Sequence, residues 1–430
     1  MPNDELKNIK YVRIILYLLF FTPSLTKNLI APGIALSDIT LLSSVSLAFL
    51  FLRSKDFFII PTWVLYGFLI YLWVLISAFF AYQYSIFFAS DEFYKSFFKY
   101  SFYFLSVSLI SIFLKKIDIK IMSKIMLNVV FINSIIGVYI LFAQLFKDST
   151  GIQIPYNFFW LGHDGPLTLG EDLDRWTIGN VMLVKLRGQF GEPSLFANFQ
   201  IVMLTFVYIK NNELFKRSLY KVFFIILTLL LTVSLTAYFL IAMLFVCIFI
   251  RDRKFFLGLK NIRAFIIIIV SFFIIAELSP VAPSKIFNQL IISRTSEVIG
   301  GTDRSSVIRL YGSLDTARYI VQRSPLYGSS LGNVDVFFEK SGGQLSYITG
   351  RDEQLDLKNA VVINIPLYFL ASLGYVGLFL FLGSLFFTIR ASTLIGSIPF
   401  LASLGASGTP LEASFWVIYL MFSTNFRLNQ

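Results

Sequence analysis

The sequence predicts an all-α polytopic integral membrane protein of about twelve transmembrane helices, with two long extracytoplasmic loops. Three observations predict it. Of 430 residues, 57% are hydrophobic and only 14% charged, whereas a soluble domain is about half apolar and about a quarter charged. The apolar residues gather in blocks of about 16–25, the length that crosses a hydrocarbon core as helix. The blocks are continuous rather than alternating, which excludes a transmembrane β-barrel.

The predicted spans lie near 11–31, 36–52, 58–82, 94–114, 121–146, 193–209, 219–233, 235–250, 263–279, 360–389, 392–407 and 412–425. The first has no small-residue cleavage site and is followed at once by more spans, so it reads as a transmembrane helix rather than a removed signal. Residues 1–146 therefore hold helices 1–5, 147–192 the first long loop, and 193–279 helices 6–9. Residues 280–358 form the second long loop and 360–430 helices 10–12. The cations orient this array. Arg53 and Lys55, Lys115 and Lys116, the 210–221 stretch and the 251–263 stretch fall in alternate loops, which places them and both termini in the cytoplasm. The net charge of +11 belongs to that pattern and not to nucleic-acid binding. One cysteine, Cys247, and one histidine, His163, supply neither a disulfide framework nor a metal cluster.

Both long loops face outward, and Trp160, Trp176 and a clear helical period argue that they are ordered. The short cytoplasmic loops carry no glycine-rich phosphate cradle, so chemistry is expected outside and without ATP. At the end of the first loop stands KLRGQFGEPSLFANFQ, 185–200. Pro193 suits the first position of a helix. Glu192 and Ser194 then flank its positive end, with Arg187 just upstream, an arrangement suited to a phosphate. The plain alternative is that Glu192 caps the helix and Arg187 reaches the headgroups.

In the second loop, a helix is predicted from about Ser305 to Gln322, with Val307, Leu310, Leu314, Ala317 and Val321 on its apolar face. Arg309, Thr316 and Arg323 fall opposite, and Arg304 and Arg318 share a third stripe. Arginine grips a diphosphate through two oxygens at once; an amphipathic helix resting on anionic headgroups would show the same residues. His163 and Asp164, beside aromatics, form a polar pair suited to sugar contact or acid–base work. Ionisable side chains are nearly absent inside the spans, unlike in an ion-coupled transporter.

Three motifs in order resemble the Wzy-type polysaccharide polymerases of the O-antigen ligase/polymerase superfamily. They are Arg187-Gly-Gln-Phe-Gly-Glu192-Pro193-Ser194-x-x-Ala197, then Ser324-Pro325-Leu326-x-Gly328-x-x-Leu331-Gly332, then Asn364-x-x-Leu367-x-x-Leu370-x-x-x-Gly374-x-x-Gly377. The resemblance spans about 240 residues. It implies a metal-independent enzyme of the bacterial cytoplasmic (inner) membrane, like the lipid-dependent GT-C-type glycosyltransferases, with no cofactor. A glycan on undecaprenyl diphosphate would pass to the sugar end of a newly flipped, lipid-linked repeat unit. A chain-length regulator and a flippase are the protein partners it suggests. By that analogy Arg187 and one or more of Arg304, Arg309, Arg318 and Arg323 would steady the departing diphosphate, and Glu192, or else His163 or Asp164, would take the acceptor proton. Asn364 would contact substrate. O-antigen ligases carry a histidine just before the asparagine of the third motif, where this chain has Ile363, which favours a polymerase over a ligase; a flippase or transporter is the remaining alternative.

Overall fold

A computed structural model of the chain describes residues 2–25, 29–31, 34–52, 56, 61–84, 87–152, 154, 175–178, 181–186, 189–190, 192–232, 234–252, 311–348, 354–357, 362–391, 394–406 and 410–423. The first group of helices is α1 (Pro2–Phe21), α2 (Leu36–Phe49), α3 (Thr62–Tyr84), α4 (Ser90–Leu114) and α5 (Ile119–Thr150). Strands β1 (Leu29–Ala31) and β2 (Ile34–Ala35) pair between α1 and α2. A second antiparallel hairpin, β3 (Arg175–Ile178) with β4 (Val181–Val184), precedes α6 (Pro193–Lys210), α7 (Asn212–Arg217), α8 (Leu219–Leu230) and α9 (Leu235–Arg251). Then come α10 (Ser313–Arg323), α11 (Val334–Lys340) and the hairpin of β5 (Leu345–Ile348) with β6 (Gln354–Leu357). Helices α12 (Ile365–Ala391), α13 (Leu394–Ala406) and α14 (Ala413–Ser423) close the described chain.

Among the described residues, five helices are long and apolar enough to cross a membrane: α3, α4, Ile119–Lys147 of α5, α6, and Ile365–Phe387 of α12. Helices α2, α8, α9 and α14 are apolar but shorter. Packing polarity agrees with a lipid surround. On α3 the large side chains Leu65, Phe68, Leu72, Leu75 and Phe79 are exposed, while Gly67, Ser77, Ala78 and Ala81 are turned inward. Large apolar side chains left exposed, with small residues buried beside Trp63, Ile70 and Val74, suit a helix whose solvent is hydrocarbon. The chain is a predominantly helical, multi-pass membrane protein.

The first predicted span, 11–31, ends early: α1 stops at Phe21, Thr22–Leu25 tighten into a 3-10 turn, and β1 follows. Pro23 lacks the amide that another α-turn would need. The predicted span 263–279 lies outside the described residues. At the centre, α6 is buried from Phe196 to Tyr208, and α14 from Phe415 to Ser423. Helices hydrophobic all round belong in an interior, and α4, α5, α9 and α13 supply it around them. At the loop ends, Lys116 pairs with Asp56 and Lys216 with Asp252.

The predicted span 360–389 is not one helix. Gly374 breaks it with φ 68° and ψ −166°, a backbone region that essentially only glycine adopts. The break releases helix carbonyls and amides, and other parts of the chain capture them. Trp73 Nε1 donates to Leu373 O at 2.9 Å, Ser329 N to Ala371 O at 2.9 Å, and Tyr375 N to Pro325 O at 2.9 Å. The turn 324–333 thus sits in the break. Ser77 Oγ holds it through Tyr327 O at 2.7 Å, and Asn333 Oδ1 accepts from Ala89 N at 2.7 Å. Ser77 lies about 10 Å along α3 from its Tyr84 end, at a 1.5 Å rise per residue, so the turn enters the depth of the span. The glycines of the second and third motifs are steric partners. A Cβ on Gly328 would lie 2.5 Å from Ala371 O, and one on Gly374 would overlap the Leu326 carbonyl.

Gly374→Ala is therefore expected to cost more than about 3 kcal/mol. Gly342→Ala has a comparable φ of +76° but nothing within 4 Å, and should cost only about 1–2 kcal/mol. Thermal unfolding of the detergent-purified variants measures the difference.

Candidate functional site

The first motif folds as its residues dictate. Pro193 occupies the first turn of α6, and Glu192 before it is extended at φ −138°, ψ 147°. The Glu192 side chain makes no capping bond to the helix amides; instead Ser194 Oγ donates to its Oε2 at 3.0 Å. Phe190 folds back on Phe196 and Phe199, with centroids 5.7 and 5.3 Å apart, fixing the entry angle of the chain much as a hydrophobic staple does. Leu186 N donates to Leu231 O at 3.0 Å and ties this entry to the end of α8.

The same local design recurs at α14. Glu412 immediately precedes that helix, and Ser414 Oγ donates to Glu412 Oε2 at 3.3 Å. Trp416 Nε1 donates to Pro410 O at 2.7 Å and holds the approach. A third helix start stands beside them. Asn364 Oδ1 accepts from Leu367 N at 3.3 Å, capping α12, while Ile363 N donates to Ser313 Oγ at 3.1 Å and links that start to α10.

Residues of these three helix starts line one small, partly open crevice. Its apolar walls are Phe190, Leu195, Phe199, Leu404, Phe415 and Ile418, with Pro23 and Ile365 at its ends. Its polar lining is Asn198, Ser403, Glu412 and Ser414. Glu192, extended and exposed just before α6, is not part of the lining. Asn198 is only 6% exposed. Its Nδ2 donates to Ser403 O at 3.3 Å, and its Oδ1 has no partner. A buried acceptor left unmet is costly unless something supplies a donor.

Helix α10 departs from its predicted faces. Thr316, expected on the arginine side, is 0% exposed, whereas Leu314, expected on the apolar side, is 48% exposed. The buried face is Ser313, Thr316, Ala317, Ile320 and Val321, and it packs on α12. Small side chains let the two helices approach closely, which the ranking of residues by hydrophobicity did not anticipate. Arg318 and Arg323 are both exposed and do not line the crevice. Arg323 lies over the Tyr319 ring at 3.6 Å and donates to Tyr319 O at 3.2 Å. Arg187, Arg304, Arg309, His163 and Asp164 lie outside the described residues. The structure thus places Glu192 and Asn364 directly before α6 and α12, whose first turns contribute to the crevice, though neither residue lines it; Arg318 and Arg323 are exposed on α10 and outside the lining.

Glu412 and Asn198 were not singled out as site residues by sequence. The signal was present for the first: Glu412-Ala-Ser414 repeats the Glu192-Pro-Ser194 step ahead of an apolar run. Among the described residues no group of three His, Cys, Asp or Glu is placed to hold a metal. Comparison with models of known protein families and with characterised proteins finds no match to this chain.

Asn198→Leu tests whether the buried amide serves the fold. It is expected to leave stability within about 1 kcal/mol of the parent, because removal of the unmet acceptor offsets the loss of the donor to Ser403 O. Thermal unfolding of both proteins gives the sign.

Proposed function

We propose that the chain is a polysaccharide polymerase, a metal-independent glycosyltransferase of the bacterial cytoplasmic membrane with its active site on the outer face. The observation that carries this proposal is the crevice to which the starts of α6, α12 and α14 all contribute, with Glu412 in its lining and Glu192 immediately before α6. The three-motif resemblance supports it from the sequence side.

In the proposed reaction the acceptor hydroxyl of a new lipid-linked repeat unit attacks the anomeric carbon of the glycan on undecaprenyl diphosphate. The bond from that carbon to the diphosphate oxygen breaks as the new glycosidic bond forms. The hydroxyl proton passes to a carboxylate, with Glu192 as the assigned base. Charge gathers on the departing diphosphate, where Arg187 and arginines of the second long segment, Arg309 foremost, would act. Arg318 and Arg323, exposed on α10 and outside the crevice lining, suit the recognition of a second diphosphate or of lipid headgroups.

The direct test is deletion of the gene in its own host, followed by gels of surface glycan and of lipid-linked intermediates. Collapse of a ladder to a single attached repeat is the expected result. Long chains stranded on the lipid carrier would mean a ligase, and single repeats trapped on the cytoplasmic side a flippase. In complemented cells, Glu192→Gln is expected to lower polymerisation by about 10²-fold or more, and Arg187→Ala by about 10²–10³-fold. Membrane insertion of both should equal that of the parent, as read by blotting the membrane fraction.

A further inference from the structure

We propose that the helical bundle binds one ordered water molecule, which bridges Trp63 Nε1 of α3 and Tyr100 Oη of α4 beneath the break in α12. The water belongs to the fold and does not depend on the glycan reading above.

The site follows from the broken helix. Phe369 and Phe381 lie on opposite sides of Gly374, yet their rings stack with centroids 4.3 Å apart and planes 14° from parallel. In a straight helix, positions 369 and 381 would stand about 18 Å apart at a 1.5 Å rise per residue. The two arms of α12 therefore fold toward each other on this side. Inside the angle a small cavity remains. It is lined by Phe369, Phe381 and Ser384 of α12, and by Trp63, Tyr100 and Tyr419 from α3, α4 and α14.

Three features of that cavity select its ligand. First, Trp63 and Tyr100 are only 3% and 1% exposed, and neither Trp63 Nε1 nor Tyr100 Oη has a partner among the described residues. A buried polar group without a partner is costly, the more so with hydrocarbon around the bundle, and both of these residues border the same space. Second, an indole N–H only donates, whereas a phenol can donate or accept. The ligand must therefore accept, and it must be neutral, because no charged side chain lines the cavity among the described residues. Third, the room open to the centre of a water molecule is about 10 Å³, and one bound water needs about 10–15 Å³ by that measure. A neutral acceptor with a single heavy atom is water.

The hydroxyls of Ser384 and Tyr419, which bond each other, supply a third contact, and buried waters typically make about three. The edge of the Trp63 ring also meets the Tyr419 ring, at 5.5 Å and 76°. An N–H resting on that ring would be a weak substitute for a hydrogen bond, and it would leave Tyr100 Oη unmet. With water in place, α3 and the broken α12 are tied to α4 and α14 through one polar point in an apolar interior.

The test is a cryo-electron microscopy map of the full chain in lipid nanodiscs, at a resolution that shows ordered waters elsewhere in the protein. A density peak about 2.7–3.2 Å from both Trp63 Nε1 and Tyr100 Oη is expected. Thermal unfolding of Tyr100→Phe gives an independent sign. With water bound, the variant loses a hydrogen bond and its unfolding temperature falls by about 1–3 °C. In a dry cavity the same change removes an unmet hydroxyl, and the temperature rises. Tyr94→Phe, on the exposed face of the same helix, should match the parent. The site is overturned if the map shows waters elsewhere and no peak touching both groups, or if Tyr100→Phe unfolds at the parent's temperature or above. Should Tyr100→Phe fail to purify as a native chain, the map of the parent decides alone.

Discussion

A helix broken inside a membrane must have its released backbone groups met by protein, because hydrocarbon offers no partners. That constraint governs this chain at Gly374. The carbonyls of Ala371 and Leu373 and the amide of Tyr375 find Ser329, Trp73 and Pro325, so the turn 324–333 is bound into the helical body. Helix α10 leads directly into this turn and packs on α12. Its first residue, Ser313, holds the backbone of Ile363, and that contact positions Asn364 and Ile365 at the start of α12. One wall of the crevice therefore depends on a hydrogen-bond arrangement made deeper in the span.

The crevice itself follows from where α6 and α14 can tolerate polarity. Both helices are enclosed by others along nearly their whole length, and their carboxylates stand at the starts. A carboxylate there gains from the positive end of the helix, and in a low-dielectric setting each contact to a ligand is strengthened. Asn198, one turn further in, is the exception. It is buried with an unmet acceptor.

Much of this was legible from local rules. The Glu192-Pro193-Ser194 helix start follows from proline's missing amide and from the preference for anions at a helix's positive end, and it forms where expected. The glycines of the second and third motifs were legible only as a pattern, since spacing cannot reveal that Gly328 and Gly374 sit against each other's backbones. The early end of α1 was signalled by Pro23 yet masked by the apolar Leu29, Ile30 and Ala31, which pair as strand instead of extending the helix. On α10, a helical wheel weighted by hydrophobicity placed Leu314 inside and Thr316 outside. Close approach to α12 reversed them, because small side chains at the contact let the two helices come together. Glu412 passed unassigned because a carboxylate near the end of a span looks like ordinary solvation until the neighbouring helix starts are seen beside it.

The central claim is that chemistry takes place where the starts of α6, α12 and α14 meet. The most direct measurement is a cryo-electron microscopy map of the chain in nanodiscs loaded with an undecaprenyl-diphosphate-linked repeat unit from its own host. The proposed reaction predicts sugar density at the starts of these helices, with the reacting end toward Glu192. Ordered sugar density elsewhere on the protein, away from these helix starts, would contradict it.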